Sequence, residues 1–369
     1  MVPAEHVLVV NAGSSSLKLS VVTPDGEARC RAGLRVSDFI PPAAVAEFVR
    51  GAGRIDAVGH RVVHGGDAFP GPARVTPDVV ARIAALAPLA PLHQGRALAA
   101  IDAVREALPS TPAVACFDTA FHRTLPDEAA TYALPHAWRE KWQLRRYGFH
   151  GLSHAYAARR GADLAGLDPA VARVVTCHLG AGASLCAVRG GVSVDTTMGF
   201  TPIEGLVMAT RPGDVDAGLL VRLLRDGVAL DDLDDALEHR SGLAALAGHG
   251  GDMRAIRDAA DGGDTAAIAA RRMYTYRIRT RIAAMSAAMG GLDVLVFTGG
   301  VGEHDSGVRA AATEHLGFLG VAVSAAANKA AHGDADISEP NAAVRTLVVT
   351  AREDVEVADE TRRTLAAAP

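Results

Sequence analysis

Several short stretches set polar groups of the kind that bind phosphate and carboxylate beside glycine. Asn11, Gly13, Ser14, Ser15, Ser16 and Lys18 offer an amide oxygen, three hydroxyls, backbone amides that a ligand can approach closely, and an ammonium. Such a turn suits phosphate, although a plain polar hairpin would use the same residues. The segment HRVVHGG places Arg61 between His60 and His64, and ATRPGD puts Arg211 beside Pro212 and Gly213. Two arginines on irregular backbone suit an anion site, because a guanidinium fork bonds two oxygens at once. Singly, each would read as a surface ion-pair residue. Asp118 ends an apolar run in CFDTAFH, where an unpaired carboxylate is costly, so one of those arginines is its natural partner. His150 and His154 in YGFHGLSH have the spacing of a helical metal pair. No acidic residue lies between them, and Gly148 and Gly151 favour a turn, so zinc is not the preferred reading. Of 37 basic residues only Lys18, Lys141 and Lys329 are lysine, and Lys18 stands beside the Ser-rich turn as a point charge would beside phosphate.

The elements that must hold these groups follow from periodicity. An apolar run at 7–10 followed by alternating Leu17, Leu19 and Val21 predicts strand, tight turn and antiparallel strand. Residues 174–188, VVTCHLGAGASLCAV, repeat that plan with a one-residue shift in the turn, His178 standing near the place of Asn11 and Gly180 near that of Gly13. Two similar halves are therefore expected, each opening with a hairpin. A third strand-to-glycine turn begins at Val294, and the G-x-x-x-x-G-K-[ST] signature of a P-loop is missing. Helical patterns fall at 43–50, 79–87 and 96–108, around 219–224 and 233–246, and along a stripe of Tyr274, Ile278, Ile282, Met285 and Met289 that reads as core or subunit interface. Strands at 114–117 and 344–349 complete an α/β pattern with mixed sheets, and 369 residues suggest two domains.

Composition excludes several classes. With 49% hydrophobic residues, 21% charged residues and a net charge of −5, neither disorder nor a polyanion-binding surface is indicated, so nucleic acid is not an expected partner. The longest uncharged windows are too short or too broken for a bilayer, and the few residues before Asn11 do not make a signal peptide. Cys30, Cys116, Cys177 and Cys186 lack paired metal spacing and read as reduced thiols, which points to the cytoplasm.

Taken together, N-x-G-S-S-S-x-K, HRVVHGG, FDTAFH, YGFHGxSH, HLGxGAS, DTTMGFTPxEG, TRPGD and FTGGVGE, in that order from residue 11 to 303, resemble the acetokinase family of acyl-phosphate-forming kinases. The resemblance implies an actin, hexokinase and Hsp70-like duplicated fold. Residues 1–148 would form an N-terminal domain completed by a helix at 354–369, and 149–353 a nucleotide-binding domain. It implies reversible transfer of the ATP γ-phosphoryl to acetate. Asp118, His150, Arg211 and Arg61 would be catalytic, while Arg61, Val63, Leu92, Phe149 and Pro202 would hold acetate. Lys18, His178, Leu179, Gly180, Ala181, Gly182, Asp252, Met253, Arg254, Gly300, Val301, Gly302, Glu303 and His304 would meet the nucleotide. Asn11 and Glu353 would hold Mg²⁺, or Mn²⁺ in its place, through water. Asp118 would orient the arginines, and a cytoplasmic homodimer is implied. The chain departs from the family pattern at Ala181 (Asn), at PLHQG around His93 (PLHNP), at His304 (Asn) and at RED around Glu353 (EE). Propionate as the acid, and a nucleotide-binding paralogue of reduced turnover or a switch protein on the same fold, are the alternatives.

Overall fold

Strict alternation of apolar residues at the start of the chain makes a two-faced hairpin, and the first sheet grows from it. The computed structural model describes residues 4–13, 16–35 and 40–367. It divides into two units: Met1–Arg123 with Phe149–Tyr156 and Arg352–Pro369, and Thr124–Gly148 with Ala157–Ala351.

In the first unit β1 (Val7–Ala12) pairs antiparallel with β2 (Ser16–Val22), and β2 with β3 (Ala28–Arg35). The other edge of β1 takes β4 (Ala57–Val62) in parallel; β5 (Ala73–Arg74) then lies antiparallel to β6 (Ala113–Phe117), which itself runs parallel to β4. The order is β3-β2-β1-β4-β6-β5. One face, with Leu8, Val10, Leu17 and Leu19, buries itself under helices Pro42–Ala52 and Pro91–Ala107 through Val45, Ala100 and Val104. The other, with Val7, Val9, Ala57 and Cys116, is covered by helix Glu353–Ala366 through Val357, Ala358 and Leu365. That helix lies so close that a Cβ at Gly59 would stand 2.5 Å from Thr361 Oγ1 and 2.6 Å from Val357 Cγ1. The helix expected at 96–108 starts earlier, at Pro91, because proline presets the first helical turn.

The second unit repeats the design. β7 (Arg173–Leu179), β8 (Ala183–Arg189), β9 (Val192–Thr196), β10 (Val294–Thr298), β11 (Ala335–Asp336) and β12 (Arg345–Val348) lie in the order β11-β12-β10-β7-β8-β9. Read from the other edge, this is the first sheet again, with the same pattern of parallel and antiparallel neighbours. Even the irregularities correspond: β2–β3 slips register at Val21/Val22 and β8–β9 at Ala187/Val188. The echo between residues 7–22 and 174–188 is thus one hairpin used twice, closed by Gly13 N–H to Ser16 O in the first copy and Gly180 N–H to Gly182 O in the second.

Helix Thr265–Met289 buries Tyr274, Ile278, Ile282, Met285 and Met289 and packs on β8 and β7, so the stripe is core. Its ends follow local rules: Asp264 caps the first amides and Gly290 leaves in the left-handed region. No helix among the described residues is long and apolar enough to cross a membrane. All four cysteines are free, three of them buried.

Candidate active site

Parallel pairing of β1, β4 and β6 gathers the first group of side chains. Asn11 and Arg61 are register partners, Arg61 neighbours Cys116, and Asp118 lies two residues beyond on the same face. Arg61 donates from Nε to Asp118 Oδ1 (3.0 Å) and from Nη2 to Oδ2 (2.5 Å), a bidentate pair of which the carboxylate is almost fully buried. Its Nη1 donates to Asn11 Oδ1 (3.0 Å), while Asn11 Nδ2 donates to Glu353 Oε2 (3.2 Å). The charges fix that amide's orientation: oxygen toward the guanidinium, nitrogen toward the carboxylate. Glu353 arrives here because it opens the helix that covers this face, and its Oε2 lies 3.7 Å from Arg61 Nε. Against the cost of burial, the charges of Asp118 and Glu353 hold the Arg61 guanidinium above its ordinary range. Burial likewise pushes the Asp118 carboxyl up, opposed by Arg61 and by the backbone N–H of His150.

The turn at His150 is built against Asp118. Gly151 N–H donates to Asp118 O (3.1 Å), and a Cβ at Gly151 would stand 2.0 Å from that oxygen, so only glycine fits. His150 adopts φ 57 and precedes helix Gly151–Leu164, while the His122 Nε2 and Phe149 O atoms lie 3.0 Å apart. Phe149 is buried, its ring centroid 5.5 Å from that of His64 in a T-shaped pair. His64 Nδ1 accepts from Gly66 N–H (2.9 Å), and burial holds the imidazole neutral, down to about 4. Gln94, one of the departures from the family pattern, donates to His64 O (3.0 Å) and steadies the same turn. Val63 is half-buried beside it, and Lys18 stands exposed on β2 opposite Asn11. The Leu92 side chain and residues Ser14 and Ser15 lie outside the described residues.

The chemistry of these donors fits a hard divalent cation. Glu353 offers a partly exposed carboxylate with Asn11 alongside, and Mg²⁺ characteristically takes one or two carboxylates, with phosphate and water supplying the rest. Asn11 Oδ1, expected to face the cation, is committed to Arg61, which favours contact through water. Both Asp118 oxygens are likewise committed to Arg61.

The second unit holds the other group. Arg211 lies in a loop whose shape depends on Gly213 at φ 74, where a Cβ would meet the carbonyls of Gly205 and Leu206 at 2.5 Å. Its Nε donates to Glu238 Oε2 (2.7 Å), so the carboxylate holding Arg211 is Glu238, whereas Asp118 holds Arg61. Pro202 sits in a loop pinned by three hydrogen bonds: Tyr132 OH donates to Glu204 Oε2 (2.5 Å), Arg146 Nη2 to Oε1 (2.5 Å), and Arg146 Nη1 to Met198 O (3.0 Å).

The glycine-rich segments converge. Ala181, exposed at the tip of the His178–Leu179–Gly180–Ala181–Gly182 turn, accepts from Ala209 N–H through its carbonyl (3.0 Å). A Cβ at Gly251 would strike Ala209 O, and one at Gly299 would strike Leu179 O, so both approach backbone closely. Asp252 caps helix Met253–Asp261 by accepting from Arg254 N–H (2.8 Å); Met253 is buried and Arg254 exposed. The stretch of Gly300, Val301, Gly302, Glu303 and His304, expected as a turn, is a short helix, Gly299–His304. Arg309 turns it into one by donating to Gly302 O and Glu303 O, both at 2.9 Å, and Glu303 Oε1 accepts from Ala351 N–H. Gly300 and His304 are exposed.

Sequence reasoning passed over Glu238, Tyr132, Arg146, Glu204 and Arg309. Glu204 could have been found, since it lies within the DTTMGFTPxEG segment; Glu238 is masked by the acidic run of Asp231, Asp232, Asp234 and Asp235 that precedes it.

With this geometry in view, the chain can be compared with known proteins. The model of the Acetokinase family matches residues 43–359. An acetate kinase from Synechococcus sp. (strain JA-2-3B'a(2-13)) is 43% identical over 393 residues, covering 96% of this chain and 97% of its own. The crystal structure of Porphyromonas gingivalis acetate kinase superposes with a TM-score of 0.91 at 36% identity, over 98% of this chain and 100% of that one. A propionate kinase from Francisella tularensis subsp. tularensis SCHU S4 superposes at 0.89 with 31% identity, over 97% and 99%. Matched along most of its length by the family model and nearly end to end by these relatives, the chain belongs to the acetokinase family.

Proposed function

We propose that this protein is an acetate kinase, a phosphotransferase that moves the γ-phosphoryl of ATP reversibly onto the carboxylate of acetate by direct in-line transfer, giving acetyl phosphate and ADP. The observation that carries the reading is the Arg61–Asp118 pair set between Asn11 and Glu353, in a chain of this family. The acceptor is already an anion, so no base has to remove a proton. The barrier lies in bringing two anionic groups together, with charge spread over three equatorial oxygens in a loose transition state.

Arg61 has five N–H donors, of which Asp118 and Asn11 take three; two are left for the acetate carboxylate. Val63 and Phe149 offer apolar contact for its methyl group, and Leu92 and Pro202 keep the part expected of them. Arg211 and the imidazole of His150 neutralise charge on the transferring phosphoryl. Lys18 and the Gly180–Ala181–Gly182 turn bind phosphates. Asp252, Met253 and Arg254, with Gly300, Val301, Gly302, Glu303 and His304, receive the rest of the nucleotide. Mg²⁺ held by Glu353 and Asn11 through water would neutralise phosphate oxygens when bound. The reading includes a homodimer and a cytoplasmic location, the latter in keeping with four free thiols.

Propionate is the second acid to consider, because a propionate kinase superposes so well and one methylene discriminates by only about 1–3 kcal/mol. Hydroxylamine trapping of acyl phosphate, with ATP, Mg²⁺ and acetate, propionate or butyrate in turn, tests the reading. Acetyl hydroxamate as the fastest product supports it, faster propionyl hydroxamate moves the assignment to propionate, and no product with any acid rejects the kinase.

A further inference from the structure

We infer that Glu238 is a positioning residue for Arg211, fixing both the guanidinium and the backbone that carries it; this rests on the role of Arg211 proposed above. Three independent contacts converge on that one short stretch. The Glu238 carboxylate accepts from Arg211 Nε at 2.7 Å, with both side chains about four-fifths buried. The Glu238 main-chain carbonyl accepts from Thr210 Oγ1 at 2.9 Å, one residue before the arginine. Beyond Glu238, helix Leu230–His239 breaks and restarts at Gly242, and the break lies against the arginine loop. Ser241 N–H donates to Thr210 O, Leu243 N–H to Met208 O and Ala244 N–H to Ala209 O, each at 2.9 Å. Gly242 has φ 63, and a Cβ there would stand 2.6 Å from Arg211 O. The break is shaped to receive this loop.

The placement of the carboxylate has a chemical meaning. By taking Nε, Glu238 occupies the side edge of the guanidinium and leaves the end edge, Nη1 and Nη2, for a bidentate anion. Among the described residues no hydrogen bond to either terminal nitrogen of Arg211 is formed. A long side chain with many rotamers is thereby held in one pose before substrate arrives. Neighbouring acidic residues differ. Asp235 pairs with Arg240 and His239, but those side chains are more than half exposed, and solvent screens such contacts.

Glu238→Gln keeps the shape and the main-chain contacts while removing the charge. Loss of one charge-assisted contact to a positioned group predicts a kcat lowered about ten- to a hundredfold, with the KM for acetate changed less than about threefold. The decisive measurement is the double-mutant cycle with Arg211→Ala, followed by hydroxamate formation and accompanied by near-UV circular dichroism. Once Arg211 is gone, Glu238→Gln should lower kcat no further, and Asp235→Asn should leave it unchanged in either background. An equal drop from Glu238→Gln with and without Arg211 would mean a general structural role and overturns the inference. So does a Glu238→Gln enzyme of nearly normal kcat beside a crippled Arg211→Ala enzyme. Nearly normal turnover by Arg211→Ala itself removes the arginine's proposed role and this inference with it.

Discussion

Asp118→Asn is the sharpest perturbation of the first group of side chains. Asparagine has the volume of aspartate and keeps one oxygen, so the site does not collapse; what disappears is the charge and one of two bonds to Arg61. Those bonds are 3.0 and 2.5 Å long, and the carboxylate is 2% exposed, so solvent screens them little. Losing one charge-assisted bond outright and reducing the other to a neutral one costs about 2–4 kcal/mol. Glu353, 3.7 Å from Arg61 Nε, recovers part of this by drawing the guanidinium toward itself, away from its present pose. If Arg61 has to be in that pose in the transition state, kcat falls by about 30- to 1,000-fold. The assay is hydroxamate formation at saturating ATP and acetate, with circular dichroism to verify folding. Asp102→Asn is the internal control: its pair with Arg105 is more than half exposed on both sides and should be worth less than about 1 kcal/mol. A folded Asp118→Asn enzyme within about threefold of the parent kcat would refute the argument that this carboxylate holds Arg61 for chemistry.

Two further outcomes are expected. Ala181→Asn restores a side-chain donor at an exposed turn whose backbone is already held by Ala209, so the KM for ATP should fall about two- to tenfold with little change in kcat; initial-rate kinetics decide this. Burial and the charge of Glu356 push Glu360 from 4.5 up to about 7, so the folded state retains its proton where the unfolded chain has lost it. The resulting stability is complete below the ordinary value and disappears as pH rises through about 7. His60 and His64, pushed down by burial to about 3 and about 4, act in the opposite sense, losing stability as pH falls below their ordinary 6.5. Glu360→Gln should therefore remove the decline in urea midpoint between about pH 5 and about pH 8 and leave the acid limb unchanged.

What could be read in the sequence was local or chemically compelled. The hairpin at Asn11 and its echo at His178 are visible because alternation has period two and their turns are glycine-rich. A buried Asp118 demands a cation, and Arg61 is the one that parallel register delivers. What could not be read depends on contacts far along the chain. Glu238 follows a run of aspartates that looks like a solvent-facing helix, and nothing in its spacing points to Arg211, 27 residues away. Gly299–His304 reads as a turn because glycines weaken helix propensity, yet Arg309, buried from a later helix, satisfies its final carbonyls and overrides that preference.

The helix Glu353–Ala366 leaves the ribosome after every strand of both sheets has been made. Until then the face of the first sheet bearing Val7, Val9, Ala57 and Cys116 lacks Val357, Ala358 and Leu365 above it, and Asn11 and Arg61 have no Glu353 beside them. Completion of the first sheet therefore waits for a helix made after all of its strands. Translation that stops before residue 353 yields a polypeptide with an uncovered apolar sheet, one that chaperones and proteases can recognise as unfinished before it meets nucleotide.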